Sequence, residues 1–311
     1  MIVDSLYILV GLGLLVLGGE YLVRGAVALA LRLGIAPVVV GLTVVAFGTS
    51  APEMIVSVSA AIGGQPGIAL GNVIGSNIAN VLVILGATAV IAPVLSNDDE
   101  LKKSWTYAVA ASVLLIALCL LGPLGWWHGA IMLAGLALTL YFQISRARQG
   151  QMQAEVAEIE RGVTPPRKII MWLILGLVAL PIGANLLVSG ASEIARGFGI
   201  SDAVIGLTLV AVGTSLPEFA ASVTAALRGR ADMALGNVIG SNLFNILAIM
   251  GITSLFGPLV VPEQMLRFDL WLMLATTLLV GPFLFRHIAI GRVVGAVFVA
   301  IYAAYTIWLL A

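Results

Sequence analysis

The sequence predicts an all-α, polytopic membrane protein: ten transmembrane helices arranged as two inverted five-helix repeats. Three observations carry that prediction. Hydrophobic residues fill 61% of 311 positions against 10% charged, and the mean hydropathy is +1.13, which leaves too little polar surface to clothe a water-soluble domain. Apolar runs of about 20 residues, the length that crosses a hydrocarbon core, recur along the whole chain. Two segments separated by a constant offset spell nearly the same sequence.

Taken in order, the predicted spans of the first half are 5–30, 37–62, 68–92, 105–121 and 124–144. Those of the second half are 169–194, 203–227, 233–256, 269–285 and 290–310. The division expected from them is a first repeat over 1–148, a polar linker over 149–168 and a second repeat over 169–311. No lysine or arginine precedes the first span, and it is too long for a signal h-region, so it is expected to be retained as helix 1. Glu20 and Arg24 stand one turn apart in it, most simply as a local ion pair. The single Cys119 falls inside the fourth span and excludes an intramolecular disulfide. Asn97, Asp98, Asp99 and Glu100 precede Lys102 and Lys103 and are expected to be solvated surface. His128, beside Trp126 and Trp127 in a loop, reads as an interfacial position, and His287 adjoins Arg286; neither is expected to bind a metal.

The basic residues fix the orientation, because lysine and arginine in short loops stay on the cytoplasmic side. Alternate ends and loops collect Arg24, Arg32, Lys102, Lys103, Arg146, Arg148, Arg161, Arg167, Lys168, Arg228, Arg230, Arg286 and Arg292, leaving only Arg196 and Arg267 on the other side. Both termini are therefore expected on the non-cytoplasmic side of a cell membrane, the inner one where there are two.

Gly41 to Thr88 aligns without a gap on Gly206 to Thr253 at an offset of 165, with 29 of 48 positions identical. Duplicated architecture is the meaning of such self-similarity. Each half holds an odd number of spans, so the second copy enters the membrane from the opposite side. Inverted repeats of this kind present a midplane site alternately to the two faces.

The chemistry sits in the repeated segments. GTSAPE ends at Glu53 and GTSLPE at Glu218. A carboxylate in mid-membrane costs roughly 2.5 to 3.5 kcal/mol on insertion scales, so a matched pair points to a bound cation. Pro52 and Pro217 each lack an amide hydrogen and clash with the carbonyl four residues back, near Gly48 and Gly213. The broken turns free carbonyls beside Thr49 and Ser50, and beside Thr214 and Ser215, and a freed carbonyl in the membrane needs protein or an ion. The second motif pair, GNVIGSNIAN at Gly71 to Asn80 and GNVIGSNLFN at Gly236 to Asn245, puts Ser76 and Asn80 on one helix face, and Ser241 and Asn245 on another. Its GxxxG glycines read as helix contacts. Asn72, Asn77, Asn237 and Asn242 are expected to hydrogen-bond the broken backbone rather than an ion.

Oxygen ligands without Cys or His suit a hard cation such as calcium, which takes six to eight oxygens at about 2.3 to 2.6 Å. Two bidentate glutamates with carbonyl and amide oxygens are expected to supply them. Protons are expected to compete, since two facing carboxylates in low dielectric repel.

The two motif pairs resemble the two α-repeats of the sodium/calcium exchanger family within the cation/calcium antiporter superfamily, in the prokaryotic type without regulatory domains. That resemblance implies alternating-access exchange of calcium against sodium or protons, with helices 2, 3, 7 and 8 around the ions and helices 1 and 6 sliding across them. It implies ligands at Glu53 and Glu218, the hydroxyls of Thr49, Ser50, Thr214 and Ser215, the carbonyls of Ala46 and Ala211, Ser76 and Ser241, with Asn80 and Asn245 at matching positions. No cofactor is implied; the partners are the transported ions and the lipid bilayer, with no nucleic acid and a monomeric state. Sodium-coupled relatives often carry an aspartate where this chain has Asn245, so two carboxylates, not three, are expected to balance one calcium, two sodium ions or two protons. The alternative is a calcium/proton or near-electroneutral exchanger. A cation channel fits less well, lacking a filter run, and an intramembrane enzyme would need a nucleophile and base that the motifs do not contain.

Overall fold

The computed structural model describes residues 2–95, 98–154, 164–198 and 213–310. Described residues fold as helices, with no strand beyond two isolated antiparallel bridges, Val94 with Ile290 and Leu124 with Leu259, that tie loops together. In chain order the helices are α1 (Ile2–Leu33), α2 (Pro37–Thr49 and Ala51–Ile62), α3 (Pro66–Ile91), α4 (Asp99–Leu120) and α5 (Trp126–Ala154). The second half gives α6 (Pro166–Gly197), α7 (Leu216–Leu227), α8 (Ala231–Thr253), α9 (Met265–Phe285) and α10 (Arg292–Leu310).

Eight of these are long and apolar enough to cross a membrane, and the bent α2 pair makes a ninth. α7 is the short one, because the residues before Gly213 lie outside the described residues, as do those at 203–212 of the predicted span. Most predicted boundaries agree with the observed ones to within a few residues. The fourth and fifth spans do not: α4 starts at Asp99, six residues before the predicted 105, and α5 runs on to Ala154, into the expected linker, since no proline interrupts the sequence between Pro123 and Pro165.

Burial sorts the helices into a centre and a rim. The apolar window of α8 is 94% buried and that of α3 67%, whereas α1, α6 and α10 are 22%, 28% and 11% buried. The repeat-bearing helices therefore form the core, and the others present Leu, Ile and Val side chains outward, as a lipid solvent demands.

α1 and α6 pack on each other along their length. Gly11, Gly18 and Gly25 on α1 and Gly176, Gly183 and Gly190 on α6 are spaced by seven, two turns, and so line one face of each helix. They also match pairwise at the offset of 165, which extends the duplication beyond the segment that sequence alignment finds. Each lies against the other helix so closely that a Cβ would strike it: at Gly11 2.7 Å from the carbonyl oxygen of Gly183, at Gly176 2.7 Å from the backbone nitrogen of Leu22. Small residues allow this approach where hydrophobic burial supplies no drive.

The turn after each glutamate helix is the same in both halves. Gly64 and Gly229, equivalent at the 165 offset, take φ of +70° and +71°, a left-handed conformation that favours glycine. The hydrogen bonds repeat too: Gln65 N–H donates to the Ala60 carbonyl and Arg230 N–H to that of Ala225, both at 2.8 Å.

Local expectations fare variously. Asp98 caps α4 by accepting from the Glu100 N–H at 2.8 Å, and Lys102 and Lys103 pair with Asp99 and Glu100. Desolvation pushes the Asp98 carboxyl above its ordinary range. Asn97 lies outside the described residues. His128 is not in a loop but in the first turn of α5, 3% exposed, where its Nδ1 accepts from the Gly125 N–H at 2.9 Å. Glu20 does pair with Arg24, and it also takes a two-pronged bond from Arg228 at the end of α7, a partner 208 positions away that spacing does not reveal.

Candidate functional site

Both glutamate segments break where proline dictates. α2 bends by 44° between Thr49 and Ala51, and Ser50 at the break has φ −82° and ψ 8°. Ser215, its equivalent, has φ −90° and ψ 3°. Each break is followed by a fresh helical start with proline in the first turn, where a missing N–H costs nothing, and with the glutamate one residue later.

The two breaks meet. The Ser50 hydroxyl donates to Glu218 Oε1 at 3.0 Å, and the Ser215 hydroxyl donates to Glu53 Oε1 at 3.4 Å. Each half thus holds the carboxylate of the other, and both glutamates are 1% exposed. The second oxygen of each, Oε2, is buried with no hydrogen-bond partner among the described residues. A buried carboxylate oxygen without a donor is expensive, and here the cost is incurred twice in symmetry-related places. Rather than presenting two free bidentate carboxylates, the structure ties one oxygen of each to serine and leaves one open.

α3 and α8 buttress the pair. Asn72 donates to the Glu53 carbonyl at 3.0 Å and to Ser57 at 2.8 Å; Asn237 donates to the Glu218 carbonyl at 3.1 Å and to Ser222 at 2.9 Å. These asparagines bind backbone, as expected, but the carbonyl they bind belongs to the glutamate itself, one turn beyond the break. Ser57 and Ser222 were not singled out from the sequence; standing in both copies one turn after the glutamate, they carried the signal. Alanine at Asn72 or Asn237 strands two acceptors, so at about 1 kcal/mol per net hydrogen bond each variant is expected to lose about 2 kcal/mol, read as a lower midpoint of thermal unfolding in detergent. Wild-type stability in both would show that the amides do not hold the glutamate helices.

Asn80 and Asn245 open π-helical turns, Asn80–Leu85 and Asn245–Ile249, a local widening often found at functional sites. Asn80 donates to Asn242 Oδ1 at 2.9 Å and Asn245 to Asn77 Oδ1 at 3.1 Å, again crossing between halves. Their own Oδ1 atoms are buried and have no partner among the described residues, and the same holds for the Ser241 hydroxyl. Asn242 also donates to the Asn77 carbonyl at 3.2 Å, and Asn77 to the Met273 sulfur at 3.5 Å.

The remaining expected ligands are placed as follows. Ser76 is buried at 7% exposure and Thr214 half-buried. Thr49, at 1%, lies 3.4 Å from both the Ala46 carbonyl and Asn237 Oδ1. The Ala46 carbonyl also accepts the Ser50 N–H at 3.1 Å, so it is engaged in the helix rather than freed. Ala211 lies outside the described residues. Gly240 brings α8 against α2: a Cβ there would stand 2.6 Å from the Leu42 carbonyl and 2.8 Å from the Ala46 Cβ, so only glycine lets the two motifs touch. Gly236 makes the neighbouring contact with the Val38 carbonyl.

Among the described residues no group of three or more His, Cys, Asp or Glu side chains is placed to hold a metal. A third buried acid, Asp269, is bonded by the Tyr305 hydroxyl at 2.9 Å and by no motif residue. What the two motifs assemble is a buried centre with two carboxylates and open oxygens from both halves, an arrangement for a hard, partly dehydrated cation.

Comparison with known proteins agrees with that chemistry. The family profile described as sodium/calcium exchanger protein matches residues 4–145 and 168–311. The putative antiporter CaxA of Alkalimonas amylolytica is 40% identical, over 89% of this chain and 88% of its own length. The sodium/calcium exchanger MaX1 of Methanosarcina acetivorans is 36% identical over 98% of each. Among solved structures, the sodium-calcium exchanger NCX_Mj superposes with a TM-score of 0.86 at 33% identity, covering 99% of both chains. Two cross-braced glutamate breaks inside a profile match spanning nearly the whole sequence leave one conclusion: the chain belongs to the sodium/calcium exchanger protein family.

Proposed function

We infer that the protein is a secondary antiporter that exchanges calcium for sodium or protons across the membrane, by alternating access to a midplane site built from its two repeats. The observation that carries this reading is the reciprocal bond of Ser50 to Glu218 and of Ser215 to Glu53, which joins carboxylates from opposite halves in a buried core. The ions are bound by Glu53 and Glu218, by the hydroxyls of Thr49, Ser50, Thr214 and Ser215, by the carbonyls of Ala46 and Ala211, and by Ser76, Ser241, Asn80 and Asn245. The open Oε2 atoms of the glutamates and the open Oδ1 atoms of Asn80 and Asn245 support the last two assignments and the carboxylates most directly. The protein works as a monomer in the cell membrane, its arginine-rich end facing the cytoplasm and both termini facing away. The inner membrane protein YrbG of Escherichia coli, 36% identical over 83% of this chain and 81% of its own length, supports that location.

Radiolabelled calcium uptake into proteoliposomes tests the reading. Uptake is expected only against an opposing sodium or proton gradient, applied separately to identify the driving ion. Calcium flux that runs equally well with no counter-ion gradient would indicate a channel instead.

The same preparation tests stoichiometry. Two carboxylates neutralise one calcium, two sodium ions or two protons, whereas a third sodium ion opposite Asn245 leaves an uncompensated charge in low dielectric. Exchange is therefore expected to be electroneutral, with initial rates unchanged by an imposed potassium-valinomycin potential. A clear potential dependence overturns that stoichiometry.

A further inference from the structure

The inverted duplication gives each feature of one membrane face an equivalent on the other, which makes departures from the symmetry informative. The Gly229 turn carries Arg228 and Arg230, where the equivalent Gly64 turn, with the same backbone, carries Gly63 and Gln65. The facing helix departs in step: α1 bears Glu20 and Arg24 where α6 bears Asn185 and Ser189. One end of the bundle thus acquires four charged groups that the other end lacks.

These groups surround a cavity of about 370 Å³ between α1, the start of α6 and the turn from α7 to α8. Arg24, Arg228 and Arg230 line it together with Val27, Leu31 and Trp172. Glu20 pairs with both Arg24 and Arg228, fixing their guanidinium groups, while Arg230 makes no ion pair with any described residue. Among the described residues, three arginines against one glutamate give the cavity a net charge of two positive units, and Lys168 adds another nearby, 5.0 Å over the Trp172 ring.

We propose that this cavity binds the phosphate of an anionic phospholipid from the leaflet at the arginine-rich end. Guanidinium groups offer paired N–H donors that match phosphate oxygens, and basic pockets between transmembrane helices at the membrane surface take anionic headgroups. A lipid fits better than free phosphate because the walls are apolar: Val27, Leu31 and Trp172 continue the outward faces of α1 and α6, two helices whose apolar windows are less than a third covered by protein. The headgroup would bridge Arg24 on α1 to Arg230 at the start of α8, fastening a rim helix to the core.

Native mass spectrometry of the full-length protein in detergent, titrated with phosphatidylglycerol, phosphatidylcholine or inorganic phosphate, tests this without reference to transport. Wild-type protein is expected to retain phosphatidylglycerol in preference to phosphatidylcholine. Arg24→Gln and Arg230→Gln are each expected to weaken that binding about fivefold, the factor that corresponds to about 1 kcal/mol for one basic side chain near a lipid surface. Arg267→Gln, on the opposite face, is expected to leave it unchanged. Equal phosphatidylglycerol binding by wild type and both pocket variants overturns the proposal. Displacement of the lipid by inorganic phosphate at comparable concentration overturns it as well, by making the ligand a free anion.

Discussion

Glu53→Gln and Glu218→Gln are each expected to abolish measurable calcium exchange while leaving the helices folded. Glutamine keeps the shape of glutamate, and its amide oxygen still accepts the bond that Ser215 or Ser50 donates across the repeat interface. What disappears is one negative charge from a centre that holds two. A calcium ion would then sit in a buried site with a surplus positive charge, and breaking a buried charge pair by removing one partner costs about 3–5 kcal/mol. That corresponds to between about a hundredfold and a few thousandfold in affinity, enough to take flux in proteoliposomes to background. The thermal midpoint without calcium is expected to hold or rise, because a neutral amide is cheaper to bury than a carboxylate whose Oε2 has no donor among the described residues. Either variant exchanging calcium with wild-type affinity would remove that carboxylate from the ion's path.

The sequence makes the carboxylates and the breaks beside them legible because their causes are local. Proline removes an amide hydrogen wherever it stands, and a glutamate in an apolar run is conspicuous by its cost. Membrane spans are legible for the same reason, each reporting its own solvent. The bonds that make a site of these pieces are not local. Ser50 reaches Glu218 across 168 positions and Asn80 reaches Asn242 across 162. Spacing within one helix cannot show either, although the 165 offset already pairs the residues involved. The partnership of Glu20 with Arg228 was hidden for a further reason, since neither residue has a charged equivalent in the other half and no repeat argument reaches it. The glycine rows of α1 and α6 stood in plain view as a period of seven. An alignment of the halves passes over them because the rest of those helices differs: where only backbone approach is demanded, the outward side chains are free to diverge.

Those rows lead to the second large effect. Gly11→Leu and Gly176→Leu, equivalent positions in the two halves, are each expected to force α1 and α6 apart and to cost both stability and exchange. At Gly11 a Cβ would meet the Gly183 carbonyl oxygen and the Leu187 backbone nitrogen, both at 2.7 Å; at Gly176 it would meet the nitrogen and Cβ of Leu22, also at 2.7 Å. The obstructing atoms are backbone or are fixed to it, so no rotamer change relieves the clash and a whole helix must move. Overpacking of this kind costs about 1–3 kcal/mol, occasionally more, and between membrane helices no hydrophobic gain repays it, because lipid is as apolar as leucine. Gly13→Leu is the control: it lies on the exposed face of α1, where an added Cβ meets nothing within 4 Å, and is expected to behave as wild type. The measurement is the detergent melting midpoint together with calcium exchange per folded molecule. If the pair of rim helices must travel together across the core for the site to face either side, exchange falls further than the loss of folded protein explains. Unchanged exchange in Gly11→Leu and Gly176→Leu would mean that close contact between α1 and α6 serves neither folding nor transport.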